Sequence, residues 1–273
     1  MQKILNYLLM AATVCGISLA AASCSSNDDN PATPDLKLSE KIIGKWIVAD
    51  RDGKPALTDE KTVLTFLSDT KATVSLSKSN YSETRSRWMA YHEYDAKIDG
   101  NKITLTGQRG TNGYIFNEYT VSSITDNEIV SSYNRKNISD GQVIGGQEEQ
   151  QRRYVRVTVD YKAAVIGTWE GRCTSEGSVF DDGQEHRWQY NADGTYVYYV
   201  KDGDDWVPYA TNTLNEYFVD GNLLCTRWID LGQENREWWE ITIDGDKMNW
   251  TALRQNADGT TFTATFEMEK VEE

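Results

Sequence analysis

Apolar and polar residues alternate along several short segments of this chain. In residues 262–268 every second residue is apolar, and the residues between them are Thr or Glu. The same alternation occurs in residues 72–76 and 239–243. A strand with one apolar and one polar face is what an antiparallel sheet with one solvated side requires. The pattern therefore predicts an all-β protein.

Turn sequences separate the alternating segments. Asp-Gly pairs at Asp52-Gly53, Asp220-Gly221 and Asp244-Gly245 are typical of tight hairpins, because Gly readily adopts the positive φ that such turns need. Helix signals are scarce, and the clearest are single turns over residues 40–43 and 161–166. Short strands joined by hairpins indicate an up-and-down barrel or a sandwich.

The chain contains one unit twice. Residues 41–46, with Gly44 and Trp46, recur at 164–169, with Gly167 and Trp169. Two further segments, 98–101 and 124–129, recur in the same order at 219–222 and 243–248. The offset of about 120 residues is too long for a solenoid repeat and fits a small domain. We therefore predict one domain at residues 38–159 and a second at residues 160–273.

Two segments precede the first unit. Lys3 is followed by an apolar run over residues 4–22, and small residues stand immediately before Cys24. This order is typical of a secretory signal peptide, which we predict for residues 1–23. Residues 24–37 are small, polar and acidic and include two prolines. Such a composition indicates a disordered tether.

The sequence Ala21-Ala22-Ser23-Cys24 resembles the lipobox of bacterial lipoproteins. The resemblance implies acyl chains on Cys24, which would anchor the chain to the outer membrane, on its periplasmic face or at the cell surface. Cleavage without lipidation, leaving Cys24 as a free thiol, is the alternative. The pair Asp28-Asp29 resembles the surface-export signal of Bacteroidota lipoproteins, and a solvated spacer is the alternative there.

The net charge of the chain limits the classes of partner that it is expected to bind. The chain has 28 basic and 42 acidic residues, and its formal net charge is −14. A surface of this sign repels nucleic acid, so no nucleic-acid partner is expected. A hydrophobic content of 39% with 11% aromatic residues is enough for packed cores.

Two cysteines, Cys173 and Cys225, lie in the second unit. Outside the cytoplasm such a pair can oxidise to a disulfide. Whether two cysteines pair depends on the distance between their Cβ atoms, which a sequence does not give. A disulfide and two unpaired core thiols are both open.

The repeated Gly-x-Trp motif connects these patterns to a known fold. A short helix, then Gly44-Lys45-Trp46 or Gly167-Thr168-Trp169 opening a strand, then a meander of hairpins resembles the lipocalin-like domains of Bacteroidota lipoproteins. The resemblance implies two consecutive antiparallel up-and-down β-barrels of the lipocalin/calycin type, each preceded by a short helical turn. It also implies a basic residue packed over each Trp: Arg153 or Arg156 in the first unit, and Lys270 in the second.

Sequence signatures of catalysis are scarce. The chain has two histidines, His92 and His186, and contains no Gly-x-Ser-x-Gly, His-x-x-x-His or Cys-x-x-Cys motif. We therefore predict no catalytic residues, no metal and no cofactor. His186, two residues before Trp188, is interpreted as a residue of a barrel wall.

Aromatic residues are concentrated in the second unit, which holds seven of the nine tryptophans. These rings either fill a core or line a pocket for an apolar or glycan ligand. The predicted ligand-lining set is Trp188, Tyr190, Tyr198 and Trp239. The favoured function is binding without catalysis. The alternatives are a scaffold with filled barrels for an outer-membrane protein partner, and an envelope hydrolase.

Overall fold

The structure is a computed structural model that describes residues 37–75, 91–176, 178, 180–210 and 212–271. The predicted signal peptide, the predicted lipid anchor at Cys24 and the predicted tether up to residue 36 lie outside the described residues.

The first sheet closes into a barrel. It follows a four-residue helix, α1 (Leu38–Lys41). Its strands, in chain order, are β1 (Gly44–Arg51), β2 (Lys54–Pro55), β3 (Val63–Phe66), β4 (Lys71–Ser75), β5 (Tyr91–Asp99), β6 (Lys102–Arg109), β7 (Gly113–Ile124), β8 (Glu128–Ser139) and β9 (Gln142–Val157). Each of the strands β3 to β8 pairs with the strand that follows it in the chain. The barrel closes because β9 also pairs antiparallel with β1, which pairs with β3 on its other side.

The second sheet is also a meander, but its edges do not join along a ladder. Its strands, in chain order, are β10 (Gly167–Cys173), β11 (His186–Tyr190), β12 (Tyr196–Asp202), β13 (Asp205–Pro208), β14 (Asn212–Asp220), β15 (Leu223–Asp230), β16 (Gln233–Asp244), β17 (Lys247–Gln255) and β18 (Thr261–Val271). Strands β13 and β14 are the two edges. A single bridge between Thr195 and Glu216 joins the two sides, and Tyr217 N–H donates to the Gly194 carbonyl beside it at 2.8 Å. The result is a half-barrel that remains open beyond this bridge.

The predicted fold class is confirmed: the described chain is nearly all β, with two consecutive antiparallel barrel sheets. The alternation behaves as the pattern indicates. In β18, Ala264, Phe266 and Met268 are buried inside the second sheet, and the residues between them are half-buried (Thr265) or exposed (Glu267). Each sheet surrounds its own apolar cluster, so the interior is not one continuous core.

The Gly-x-Trp motif forms the base of the first barrel. Trp46 is fully buried, and its Nε1–H donates to the Ile42 carbonyl at 2.7 Å. The Arg156 guanidinium lies 4.0 Å from the centre of the Trp46 ring. Of the two arginines predicted for this contact, Arg156 is therefore the one that makes it. Gly44 is required here, because its φ is 125° and a Cβ would stand 2.6 Å from Nη1 of Arg156.

The base of the second barrel repeats this arrangement. Trp169 is fully buried and its Nε1–H donates to the Val165 carbonyl at 2.7 Å. Lys270 takes the place of the arginine, with its Nζ 5.3 Å from the centre of the Trp169 ring. Gly167 has a φ of 129°, and a Cβ there would stand 2.6 Å from Cε of Lys270. The repeat in the sequence is therefore a repeat of one packing motif.

A third apolar cluster joins the outer faces of the two sheets. Ile47 and Val63 from the first sheet pack with Leu223, Cys225 and Trp238 from the second. The adjacent Trp239 belongs to the interior cluster, as expected for neighbouring residues of a strand.

Polar contacts surround this joint, and the described residues of both barrels belong to one compact unit. The Thr58 hydroxyl accepts a hydrogen bond from the Leu253 N–H at 2.8 Å, and Lys61 forms an ion pair with Glu240 at 2.8 Å. Lys45 forms a second ion pair with Asp220. The two barrels are therefore packed against each other through specific contacts.

The cysteines of the second unit are both free, so the disulfide allowed by the sequence is not formed. The reason is the pleat of the strands. Cys173 packs against the interior cluster of the second sheet, whereas Cys225 is buried in the cluster that joins the outer faces. The two thiols therefore lie on opposite faces of the sheet.

Candidate functional site

The second barrel contains a cavity of about 380 Å³. Nine Phe, Trp and Tyr side chains line it, together with a smaller number of polar groups. Tyr209, from the segment between β13 and β14, and Asn212, the first residue of β14, belong to the lining. The cavity therefore reaches the part of the sheet where the edge strands are not joined. Its volume falls within the usual range of small-molecule pockets.

Three of the four residues predicted to line a ligand site do line this cavity: Trp188, Tyr198 and Trp239. The ring centres of Trp188 and Tyr198 are 5.2 Å apart. Trp250 lies between the two tryptophans, 4.8 Å from Trp188 and 5.4 Å from Trp239. Binding of a ligand by these residues stays a prediction.

The fourth residue, Tyr190, packs away from the cavity. It is 1% exposed, belongs to the interior cluster, and stands 4.8 Å from the ring of Tyr217 in a T-shaped contact. Tyr217 also contributes to the bridge that joins the two sides of the sheet. Tyr190 therefore fills the joined end of the barrel.

A hydrogen-bonded chain of side chains forms one side of the cavity. His186 Nδ1 lies 2.8 Å from the Tyr198 hydroxyl, and His186 Nε2 lies 3.2 Å from Oδ1 of Asp182. Because a carboxylate only accepts, Nε2–H is the donor to Asp182. Burial raises the pKa of Tyr198 to about 12, and the negative charge of Asp182 acts in the same direction. His186 is thus a wall residue with both ring nitrogens engaged.

Glu237 is a second carboxylate of the lining. It lies opposite Thr226 on the neighbouring strand and accepts a hydrogen bond from Nε1 of Trp239 at 3.1 Å. Burial raises the pKa of Glu237, while Arg254 and the Trp239 hydrogen bond oppose this shift. Arg254 does not line the cavity; its guanidinium lies 4.8 Å from the centre of the Trp239 ring and donates to the Trp238 carbonyl.

A pair of acceptor groups stands at the open edge. Asp230 and Asn212 are direct partners in the pairing of β15 with β14, and both line the cavity. The Oδ1 atoms of Asp230 and Asn212 are buried and have no hydrogen-bond partner among the described residues. Nε1 of Trp250, a donor, is likewise buried and has no hydrogen-bond partner among the described residues. Buried polar atoms in proteins nearly always have a partner, so these three atoms need an explanation.

The sequence prediction missed the polar half of this cavity. The period of two contained the signal: Glu237 is two residues from Trp239 on β16 and therefore on the same face. On β15, the same period connects the buried Leu224 with Trp228 and Asp230. Asp230 and Glu237 come from different strands, so neither stands in an acidic cluster along the chain.

The interior of the first barrel has a different character. Arg152 is 6% exposed, and its guanidinium lies 3.5 Å above the ring of Tyr133. The Tyr133 hydroxyl donates to Asn117 at 2.7 Å, and burial raises the pKa of Tyr133 to about 12. Tyr119 and Tyr154 complete this buried polar cluster. Here the polar side chains pack on one another.

No three His, Cys, Asp or Glu side chains in the described ranges are grouped as a metal site. No helix in the same ranges combines the length and the apolar character that a bilayer span needs.

Comparison with known proteins gives likenesses to solved structures, of which two share little sequence identity with this chain. No protein-family model matches the chain, and no curated protein matches it. One similar solved structure is a protein of unknown function of the DUF3598 family from Nostoc punctiforme, at 11% identity and a TM-score of 0.24; the match covers 87% of this chain and 99% of that one. Another is a double mutant of transferrin-binding protein B from Haemophilus parasuis, at 8% identity and a TM-score of 0.23. That match covers 81% of this chain and 62% of that one. Neither likeness carries an argument about function.

Proposed function

We propose that this protein binds a small ligand in the cavity of its second barrel, without catalysis. The observation that carries the proposal is the aromatic-lined space of about 380 Å³ that reaches the open edge of the sheet. Indole and phenol rings pack against apolar groups and stack on sugar rings, so an apolar or sugar-like body fits such walls. The joined end of the barrel, filled by Tyr190, closes the site from below.

The test uses the full chain and the neutral fluorophore N-phenyl-1-naphthylamine, followed by displacement with neutral glycosides. We expect saturable binding that Trp188→Ala weakens by at least about tenfold, because that ring contacts both Tyr198 and Trp250. The matched control is Trp206→Ala, since Trp206 lies outside the cavity lining and contacts Arg187. Equal losses in the two variants, or no saturable binding at all, would reject the proposal.

The cavity is also what favours binding over the alternative of a scaffold with filled barrels. A scaffold for an outer-membrane partner would gain nothing from an open aromatic cavity, and its interaction surface would be on the outside. Capture of a membrane protein by a variant in which Trp188 and Trp239 are both replaced by Ala, with no binding of any small compound by the unchanged protein, would support the scaffold instead.

A hydrolase is the second alternative, and the hydrogen-bonded chain of Asp182, His186 and Tyr198 is the observation in its favour. Asp–His pairs can orient an imidazole as a base. We expect the protein to bind but not to hydrolyse p-nitrophenyl esters and glycosides. Turnover that is lost in His186→Ala would overturn the non-catalytic assignment.

We further propose that the protein is a lipid-anchored lipoprotein of the Bacteroidota type at the outer membrane. The support is the order of a basic residue, an apolar run and small residues before Cys24. Cells grown with an alkyne-labelled fatty acid should label the protein, and Cys24→Ser should abolish both the label and its recovery with membranes. A Cys15→Ser variant is the control, since bulky Val14 precedes that cysteine.

A further inference from the structure

The carboxylates in the lining of the second barrel's cavity have no lysine or arginine beside them among the described lining residues. These carboxylates belong to Asp182, Asp230 and Glu237. His186 is the one histidine among the described lining residues, and its Nε2–H is already directed at Asp182. A ligand that enters this space therefore meets carboxylates and ring faces.

The three carboxylates differ in how far the protein compensates them. Asp182 accepts a hydrogen bond from His186. Glu237 accepts a hydrogen bond from Trp239, and the positive charge of Arg254 lies near it. Asp230 is half-buried, no described residue forms an ion pair with it, and its Oδ1 atom is buried without a hydrogen-bond donor. Leaving a buried acceptor unpaired is costly, more so when it is charged. Asp230 is therefore the position in the lining with the strongest demand for a donor.

The neighbourhood of Asp230 consists of groups that stabilise a positive charge. Asn212, its partner across β14 and β15, presents a second buried and unpaired acceptor oxygen. Trp228 lies two residues from Asp230 on the same face of β15 and also lines the cavity. A cation near a carboxylate and an indole face gains both ion pairing and cation–π attraction, and both are stronger in a site with little water.

We propose that the ligand is a small organic cation: a protonated nitrogen, held by Asp230 and Asn212, on a ring-shaped or apolar body that packs among the tryptophans. The inference rests on the proposed function, because it names the ligand class of the same cavity. It excludes anionic ligands such as free fatty acids, whose carboxylate would face three others. A neutral sugar would satisfy the acceptors but would leave the charge of Asp230 uncompensated.

Three compounds with one indole body and different charges test this inference by isothermal titration with the full chain: tryptamine, its neutral alcohol analogue tryptophol, and indole-3-propionate. We expect tryptamine to bind at least about tenfold more tightly than tryptophol, and indole-3-propionate to bind most weakly. Equal affinities, a preference for the neutral or anionic compound, or no binding of tryptamine would overturn the inference.

Two variants test whether Asp230 is the origin of the preference for tryptamine over tryptophol. Asp230→Asn keeps the shape and removes the charge, so tryptamine affinity should fall by about tenfold while tryptophol affinity stays nearly constant. Asp204→Asn, in the exposed turn between β12 and β13, is the matched control and should change neither. A tryptamine preference that survives Asp230→Asn would remove Asp230 from the proposal.

The failure of this inference is distinct from the failure of the proposed function. If N-phenyl-1-naphthylamine binds and Trp188→Ala abolishes its binding, the cavity is a ligand site whatever the result with the indoles. Neutral compounds that compete with that probe while tryptamine does not would then show a site without cation selectivity.

Discussion

At the scale of single residues, the two barrels differ in the basic side chain that lies over the buried Trp: Arg156 in the first and Lys270 in the second. Arg156 donates to the carbonyls of Ile43 at 2.8 Å and Lys41 at 2.7 Å, and also to that of Asp126. It therefore joins the end of α1, the first strand and a hairpin turn. Lys270 has one ammonium group and contacts the Trp169 ring from a longer distance. Arginine's planar fork is suited to several fixed acceptors at once, and an ammonium is not.

We accordingly predict that Arg156→Lys destabilises the protein by about 1–2 kcal/mol, because one ammonium cannot replace all three hydrogen bonds. Urea unfolding followed by near-ultraviolet circular dichroism measures the change. The reciprocal variant Lys270→Arg is the control and should be neutral or stabilising. An Arg156→Lys protein as stable as the unchanged one would mean that the three carbonyl contacts contribute little.

Glu237 gives a prediction about pH. Its pKa in the folded protein is raised by burial, so the folded state holds this proton more tightly than the unfolded chain does. Stability from this group is therefore greatest below the unfolded pKa and falls as pH rises toward the folded pKa. Glu237→Gln keeps an acceptor for Nε1 of Trp239 and removes the charge. We expect it to raise the melting temperature at pH 7 and to lose that advantage near pH 4. A gain that is the same at both pH values would contradict this origin.

At the scale of secondary-structure elements, the two sheets differ in how their edges are held. Strand β1 has a partner on both sides, β3 and β9. Strand β14 pairs along its length only with β15, and among the described residues a single β-bridge, Thr195–Glu216, joins it to the opposite side of the sheet. An edge with one ladder opens locally at a lower free energy than a strand with two. The access route to the cavity and the weakest part of the second sheet therefore coincide.

Hydrogen exchange followed by mass spectrometry measures this difference. Peptides from β14 should exchange at least about tenfold faster than peptides from β1, which corresponds to about 1.4 kcal/mol in the free energy of local opening. Peptides from β17, which pairs with β16 and β18, are the control within the second sheet and should resemble β1. Equal exchange in β14 and β17 would mean that the gap does not weaken the edge.

The strands and the Gly-x-Trp packing at the base of each barrel could be predicted from the sequence, because both depend on residues that are close together in the chain. Alternation of period two predicts which face of β16 or β18 is buried, and the recurring Gly-x-Trp locates both first strands. The position of Tyr190 along the barrel was not predictable. It depends on which residues of distant strands stand beside it, here Tyr217 of β14. The meeting of Asp230 with Asn212 has the same origin, since it is fixed by the register of β14 on β15.

At the scale of the whole molecule, two separate interiors are combined into one unit by their outer faces. Apolar residues of both sheets form the joint, and Lys61 with Glu240 adds an ion pair at its side. Duplicated domains need no such contact to fold individually. A joint with buried apolar residues couples their unfolding, because separating the barrels exposes Leu223 and Trp238 to water.

Thr58 tests this coupling through one polar contact between the barrels. The residue is fully buried, and its hydroxyl accepts the N–H of Leu253 in β17 at 2.8 Å. Thr58→Val keeps the shape but leaves this N–H without a partner, which should cost about 1–3 kcal/mol. The melting temperature should then fall by about 2–4 °C for each kcal/mol. Thr58→Ser retains the acceptor and serves as the control, since it removes only a methyl group. If Thr58→Val melted at or above the temperature of Thr58→Ser, the hydrogen bond would not contribute to holding the barrels together, and the apolar cluster alone would account for their association.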